Sequence, residues 1–186
     1  MTISVDLLIL GAGPAGMAAA VEARMQGLSV LLLDENAAAG GQVHRGVGTT
    51  YRPDASVPGA QQAEEGAALI AALHGSGAEC RFGATMWAIE TADTVFWSEN
   101  GEARRAKAGR ILLCPGATER PMPIPGWTLP GVMTVGAAQI MMKSAAMLPT
   151  GRVWIAGQGP LLWLYAAQVL AKGGKLAGIV LFSNPA

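Results

Sequence analysis

The chain has 186 residues, of which 51% are hydrophobic and 14% are charged, and 13 basic residues balance 13 acidic ones. This length allows one domain and part of a second, and the composition is typical of a parallel sheet covered on both faces. The absence of a basic surplus argues against a nucleic-acid partner, and no apolar run reaches the ~20 residues of a transmembrane helix.

The opening residues predict a strand, a glycine-rich turn and a helix. An apolar run at 5–10 leads into the pattern GxGxxG and then into an alanine-rich helix. In this pattern Gly11 allows the tight turn, Gly13 lets the backbone approach a pyrophosphate, and Gly16 lets the helix pack close to the strand. The helix N-terminus then presents unpaired amides to the phosphates. The predicted phosphate-binding residues are Gly11, Ala12, Gly13, Pro14, Ala15 and Gly16.

A second predicted strand, at 29–33, ends in two acidic residues, Asp34 and Glu35. A carboxylate about 20 residues beyond the glycines receives the ribose hydroxyls in dinucleotide-binding folds and repels a 2′-phosphate. Asp34 and Glu35 are therefore candidate ribose ligands. FAD or NAD is favoured over NADP at this site.

A glycine-paired loop follows the second strand, and a simple NAD-binding unit does not need it. The run 8–42 resembles the FAD-binding start of the two-dinucleotide-binding flavoproteins. The resemblance implies that Gly40 and Gly41 pass beside FAD and that Gln42 and Arg45 meet its phosphates or its flavin. A flexible surface loop is the alternative for Arg45. His44 is expected to be solvated.

The middle of the chain predicts a helix at 59–73 and then a β-meander, with Asn100-Gly101 as a tight turn. An apolar strand at 110–114 is expected to return beside the first strand. Gly116 stands where the resembling flavoproteins carry an Ala-Thr-Gly turn, although Cys114 and Pro115 replace its first two residues. The candidate strands of the meander are 79–82, 85–90, 94–98 and 103–107.

The two cysteines, Cys80 and Cys114, form no CxxC or CxxxxC pair. A redox-active disulfide of the usual spacing and a four-cysteine iron–sulfur site are therefore excluded, no metal site is predicted, and Cys114 is expected to behave as an inert apolar side chain. The first ten residues lack the basic residues of a secretory signal. We expect a cytoplasmic protein, and any association with a membrane would be through partners.

A proline-rich segment at 119–132 reads as a rigid crossing, after which Thr134 is expected to cap a helix through Met147. Two runs in this region, 117–121 (ATERP) and 125–132 (PGWTLPGV), together with Gln139, resemble the α subunits of opine (octopine or nopaline) oxidases and dehydrogenases. Related α subunits occur in hydrogen cyanide synthase and amine dehydrogenase complexes.

The residues after 151 repeat the opening pattern in degenerate form. A strand at 152–156 leads to Gly157 and Gly159, but Leu162 replaces the third glycine. The next predicted strand, 178–182, is followed by Ser183 and Asn184 rather than by a carboxylate. A second nucleotide, NAD or ATP/ADP, is one interpretation of this unit, and a purely structural role is the other.

We therefore predict an α/β fold, a Rossmann-like doubly wound parallel sheet with a β-meander crossover, followed by the start of a second βαβ unit. The expected domains are 1–118 for FAD, 119–150 as a linker with a helix, and 151–186 as the second unit. Because the resemblance covers only the front of such subunits, we expect an N-terminal fragment.

The resemblance implies an FAD-binding α subunit that accepts or relays electrons. A companion β subunit with its own flavin would oxidise an opine or another secondary amine to an imine. Two alternatives remain: a stand-alone NAD(P)H-dependent flavoprotein reductase, and a non-catalytic nucleotide-binding assembly module. No residue of the chain is assigned to acid–base or nucleophilic catalysis.

Overall fold

A computed structural model describes residues 3–51, 53 and 57–182. The chain forms two compact units. The first combines Met1–Arg45 with Glu64–Ala117, and the second combines Gly46–Ala63 with Thr118–Ala186.

The first unit contains a six-stranded sheet in the order β3-β2-β1-β6-β5-β4. Strands β3, β2, β1 and β6 run parallel, whereas β5 and β4 form an antiparallel meander at one side. This arrangement confirms the predicted α/β class. The elements are β1 Ile3–Leu10, α1 Pro14–Met25, β2 Val30–Asp34, α2 Ala60–Gly75 (of which 60–63 are assigned to the second unit), β3 Glu79–Phe82, β4 Thr85–Glu90, β5 Thr94–Glu99 and β6 Glu102–Leu113.

Both faces of β2 and of the end of β1 are covered, which explains the uninterrupted apolar runs of these two strands. Alternate residues of a strand point to opposite faces, so Leu31 and Leu32 enter two different cores. Leu31 packs with Trp97 of the meander, and Leu32 packs with Met17 of α1 and Leu73 of α2. One face is thus covered by helices and the other by the meander.

Strand β6 corrects one prediction, because the expected strands 103–107 and 110–114 are a single strand of 12 residues. Its first half pairs antiparallel with β5 and its second half parallel with β1. Gly109 does not break it. A Cβ at Gly109 would lie 3.0 Å from the backbone oxygen of Asp6, so this glycine permits close approach to β1.

The second unit contains a parallel pair of strands and two helices. Thr134 caps the first helix by accepting from the Ala137 amide at 3.3 Å, as expected. The helix ends at Ala145 rather than Met147, because Ala146 adopts a left-handed conformation. The elements are α3 Val135–Ala145, β7 Arg152–Gly157, α4 Pro160–Ala171 and β8 Lys175–Leu181.

Segment 46–63 joins the second unit through a buried polar network. Gln168, only 1% exposed, donates to the Tyr51 hydroxyl at 3.1 Å and to the Pro58 carbonyl at 3.2 Å. Its own side-chain oxygen accepts from Gln139 at 2.9 Å. Because these buried polar groups satisfy one another, Tyr51 and Pro58 are fixed against α3 and α4.

No helix in the described part of the chain is long and apolar enough to cross a membrane.

Candidate dinucleotide-binding site

The candidate site lies at the carboxyl ends of β1, β2 and β6 in the first unit. From β1 the chain continues through α1 to β2 on one side, while β6 pairs on the other side. The strand order therefore reverses at β1. In open α/β sheets, ligands bind in the crevice beyond such a switch point.

The geometry around the first turn differs at each of its three glycines. Gly11 has φ +106°, and a Cβ there would overlap the carbonyl oxygen of Cys114. A Cβ at Gly16 would overlap the carbonyl oxygen of Gly11. Gly13 has an ordinary extended conformation, and its Cβ would meet no described atom within 4 Å. The fold requires the outer two glycines, whereas open space is kept in front of the middle one.

Gly13 is also the N-cap of α1, so this open space lies at the helix N-terminus. Gly13 supplies no side-chain oxygen for the first amides, and the first turn of α1 contains no acidic residue. Such amides, together with the positive end of the helix dipole, bind anions. Pro14 occupies the first helical position, where its missing amide costs no hydrogen bond, and Ala15 is exposed beside it.

The peptide groups of Ala12 are held from two sides. The Ala12 amide donates to Asp34 Oδ2 at 2.6 Å, and the Ala12 carbonyl accepts from the Gly40 amide at 2.9 Å. Ala12 itself is fully buried. The loops that follow β1 and β2 are therefore joined at the centre of the glycine turn.

The two ribose candidates have different environments. Asp34 is 8% exposed, and its other oxygen, Oδ1, accepts from the backbone and side-chain nitrogens of Asn36 at 2.7 and 2.8 Å. A carboxylate offers about four lone-pair positions, and the described hydrogen bonds of Asp34 use three of them. Glu35 is exposed. Asp34 thus fixes the loop and has one acceptor position that no described group uses.

The diglycine loop lies directly against the first turn. Gly40 and Gly41 have φ values of +125° and +59°, and a Cβ at Gly41 would lie 2.8 Å from the Gly13 Cα. Gln42, although exposed, donates to the carbonyl of Ala117 at 2.8 Å. It thereby ties this loop to the turn after β6, where Gly116 has φ +74°.

Arg45 lies at the end of the same loop, and its Nη1 donates to Asn36 Oδ1 at 3.2 Å. Its Nε is buried and has no hydrogen-bond partner among the described residues. A buried guanidinium N–H without an acceptor is costly, and a bidentate phosphate is a good acceptor for it. Arg45 is therefore a cation held by Asn36, and its Nε–H is a donor that no described group uses.

His44 corrects a second prediction, because it is buried rather than solvated. Its ring lies against Gly66 of α2, where any Cβ would overlap it. The periodicity of α2 gave no indication that a glycine there makes room for a side chain from the diglycine loop.

These features fit the pyrophosphate-bearing half of FAD. The open space at Gly13 and the unpartnered Nε of Arg45 are the two observations that test the fit, and both favour an anionic ligand. The residues that would hold it are those of the first turn, the diglycine loop and Arg45, with Asp34 at the ribose.

Residues 5–161 match the family model of the pyridine nucleotide-disulphide oxidoreductases. The chain belongs to this family. The matched region covers the whole candidate site and extends into the glycine turn of the second unit, so both glycine turns lie within the family's fold.

Two relatives of this oxidoreductase chain are named as parts of larger enzymes. An opine oxidase subunit of Agrobacterium tumefaciens (strain Ach5) is 46% identical, over 90% of this chain and 35% of that protein. Hydrogen cyanide synthase subunit HcnB of Pseudomonas protegens is 35% identical, over 95% of this chain and 38% of that protein. The chain spans just over a third of the length of these relatives.

A solved structure shares the fold. L-proline dehydrogenase from P. horikoshii matches with a TM-score of 0.69 and 22% identity, over 98% of this chain and 36% of that one.

The disulphide in the family description has no counterpart among the described residues of this chain. Cys80 and Cys114 are both free. Cys80 lies on β3 and Cys114 directly follows β6, three strands away in the sheet, which corresponds to about 14 Å. That separation is too large for a disulfide. Burial raises the pKa of both thiols, and the Glu79 charge raises that of Cys80 further.

The second glycine turn of this family member differs from the first. Gly157 and Gly159 have φ values of +150° and +93°, and Gly159 caps α4 ahead of Pro160. Leu162, where the pattern expects glycine, is 3% exposed and belongs to the core of the second unit. The predicted carboxylate-free end of β8, Ser183 and Asn184, lies outside the described residues.

Proposed function

We propose that the chain is the FAD-binding part of an α-type subunit of a heteromeric flavin-dependent opine or amine dehydrogenase. The observation that carries this proposal is the open space in front of Gly13, at the uncapped start of α1 and beside the diglycine loop. Nothing in the described part of the protein requires glycine at that position. A ligand pyrophosphate does.

The binding residues would act together on the dinucleotide. Gly11, Ala12, Gly13, Pro14, Ala15 and Gly16 form the turn that receives the pyrophosphate, with Asp34 at the ribose and Glu35 as its exposed alternative. Gly40, Gly41, Gln42, Arg45 and Gly116 line the loops beside it. Bound FAD would supply two-electron redox chemistry, and the protein's task is to place it and tune its electrostatics.

A partner is proposed for the oxidation itself. The named relatives are subunits of an opine oxidase and a hydrogen cyanide synthase, and we assign no acid–base pair among the described residues to a substrate. A companion subunit would therefore oxidise the secondary amine, and this one would accept or relay the electrons. The substrate class proposed is an opine or another amino-acid-derived amine.

The turn at Gly157 and Gly159 supports a weaker proposal for a second nucleotide, NAD or ATP/ADP. The buried Leu162 favours a different possibility, in which this unit contributes mainly to assembly. A non-catalytic nucleotide-binding module is the second candidate function for that reason. A stand-alone NAD(P)H reductase of the disulphide type is disfavoured by the separated cysteines.

The deciding experiment is a visible spectrum of the full chain, by itself and with its companion subunit, before and after anaerobic addition of octopine or nopaline. Flavin bands that bleach only when the companion is present support the proposed relay. A protein that takes up no flavin on reconstitution with FAD, yet binds ADP, contradicts it and favours the assembly module.

A further inference from the structure

We propose that Asn36 is a positioning residue that orients Arg45 toward the pyrophosphate and thereby makes the site selective for phosphate-bearing adenosine ligands. This inference rests on the proposed FAD-binding function and adds to it a determinant of selectivity. Asn36 itself need not touch the ligand.

The orientation of the Asn36 amide is fixed by its neighbours. Its Nδ2 donates to Asp34 Oδ1 at 2.8 Å, so its oxygen faces the opposite way. There it accepts from Arg45 Nη1 at 3.2 Å. A flipped amide would set an oxygen against a carboxylate and a nitrogen against a guanidinium, both of them repulsive.

This pairing connects Arg45 to the phosphate-binding turn. Asp34 receives the Ala12 amide on one oxygen and Asn36 on the other. The chain of hydrogen bonds therefore runs from the peptide of Ala12 through Asp34 and Asn36 to Arg45. A movement of the turn and a movement of the guanidinium are coupled through one carboxylate.

Arg45 has a donor, Nε, that the bond to Asn36 does not use. A guanidinium has five N–H donors in a rigid planar fork, so the bond from Nη1 to Asn36 restricts the directions of the others. Nε is buried and has no partner among the described residues. A diphosphate oxygen would satisfy Nε and offset the charge of Arg45, whereas neutral adenosine would do neither.

The test measures the affinity of the full chain for ADP and for adenosine by calorimetry. Arg45→Gln should lower the affinity for ADP about 10- to 100-fold, because a charged hydrogen bond is lost. It should lower the affinity for adenosine by less than about twofold. Asn36→Ala should lower the affinity for ADP about 3- to 10-fold and leave the affinity for adenosine nearly unchanged. The double variant should bind ADP no more weakly than Arg45→Gln alone, because both changes remove one contact.

Gln26→Ala is the matched control, since Gln26 is an exposed amide on the same unit with one side-chain bond, to Glu22. Asn36→Ala could lower the affinities for ADP and adenosine equally, or the losses of ADP affinity in the two single variants could multiply in the double variant. In either case Asn36 acts on the loop and not through Arg45. Either result overturns the inference. A wild-type chain that binds neither ADP nor FAD would instead overturn the proposed function.

A second measurement covers the case in which Asn36→Ala does not fold. The Nε–H resonance of Arg45 in the wild-type chain, assigned by comparison with Arg45→Lys, should shift on addition of ADP and stay in place with adenosine. A resonance that responds to neither ligand contradicts the proposed contact.

Discussion

The two glycine turns of the chain look alike in sequence and differ in structure. Each joins a parallel strand to a helix that begins with proline. In the first turn a Cβ at Gly16 would overlap the carbonyl oxygen of Gly11, so strand and helix are in backbone contact. In the second turn Leu162 stands in the corresponding place, and a Cβ at Gly157 would lie 3.6 Å from its Cδ1.

The surroundings of the middle residue differ as well. Ala12 is fully buried and held by Asp34 and Gly40, whereas Gln158 at the corresponding place is exposed. The N-caps also differ, with φ −74° at Gly13 and +93° at Gly159. The comparison indicates that two glycines are enough for a turn, and that the third glycine and the bonds from Asp34 and Gly40 distinguish the first turn from the second.

The largest effect is expected when the first turn is given the residue of the second. Gly16→Leu should lower the free energy of unfolding by more than about 3 kcal/mol, because the Gly11 carbonyl cannot move away. Urea unfolding of the full chain measures this. Ala18→Leu, at an exposed position of α1, is the control. Equal midpoints for the two variants would mean that helix and strand are not in contact at Gly16.

In the second unit, stability is expected to depend on keeping the large side chain of Leu162. Leu162→Ala removes a buried side chain and should cost about 2–4 kcal/mol of stability through the cavity that it leaves. Leu170→Ala, at a 56% exposed position of the same helix, should cost much less. If the two variants unfold together with the wild type, Leu162 does not serve as the packing residue of that turn.

A change at Gly13 separates binding from folding. Gly13→Val should reduce FAD affinity more than about 100-fold, since the side chain would fill the space proposed for the pyrophosphate. The melting temperature should hardly change, because φ is −74° and the Cβ meets no described atom within 4 Å. Unaltered FAD binding in a titration would remove the central support for the proposed function.

The two acidic residues at the end of β2 are distinguished by a paired substitution. Asp34→Asn should weaken ADP and adenosine by about 1.5 kcal/mol, the value of one charged hydrogen bond, and should also loosen the Ala12 contact. Glu35→Gln is expected to leave both affinities nearly unchanged. The opposite ranking in calorimetry would assign the ribose to Glu35.

The smallest effect concerns the thiol beside the first turn. The pKa of Cys114 is raised by burial, so less thiolate is present at a given pH than in a free cysteine. Alkylation of Cys114 by iodoacetamide should therefore increase with pH only above the range of an exposed thiol. In the Cys80→Ser variant, the measured alkylation rate is that of Cys114 alone. A rate profile identical to that of free cysteine would show that the strand end is open to solvent.

The strand, turn and helix at the start of the chain could be predicted because their determinants are local. The apolar run, the spacing of the glycines and Pro14 lie within one short segment. The α/β class and the return of a strand beside β1 follow from general rules for such segments, and the structure confirmed both.

Other features depend on contacts that are distant in sequence. Glycine usually weakens the interior of a strand, yet β6 continues through Gly109, which lies against Asp6. His44 is buried because Gly66, in a later helix, makes room for its ring. The association of Tyr51 with Gln168 in the second unit and the orienting role proposed for Asn36 likewise require knowing which residues meet after folding.

The double anchoring of Ala12 has a kinetic consequence. A turn whose central peptides are already held by Asp34 and Gly40 loses its conformational freedom when the protein folds, so that entropy is not lost again when a nucleotide arrives. Capture should then be a single bimolecular event with no slow rearrangement of the turn. Loosening either anchor would introduce a unimolecular ordering step, and the observed association rate would level off at high ligand concentration.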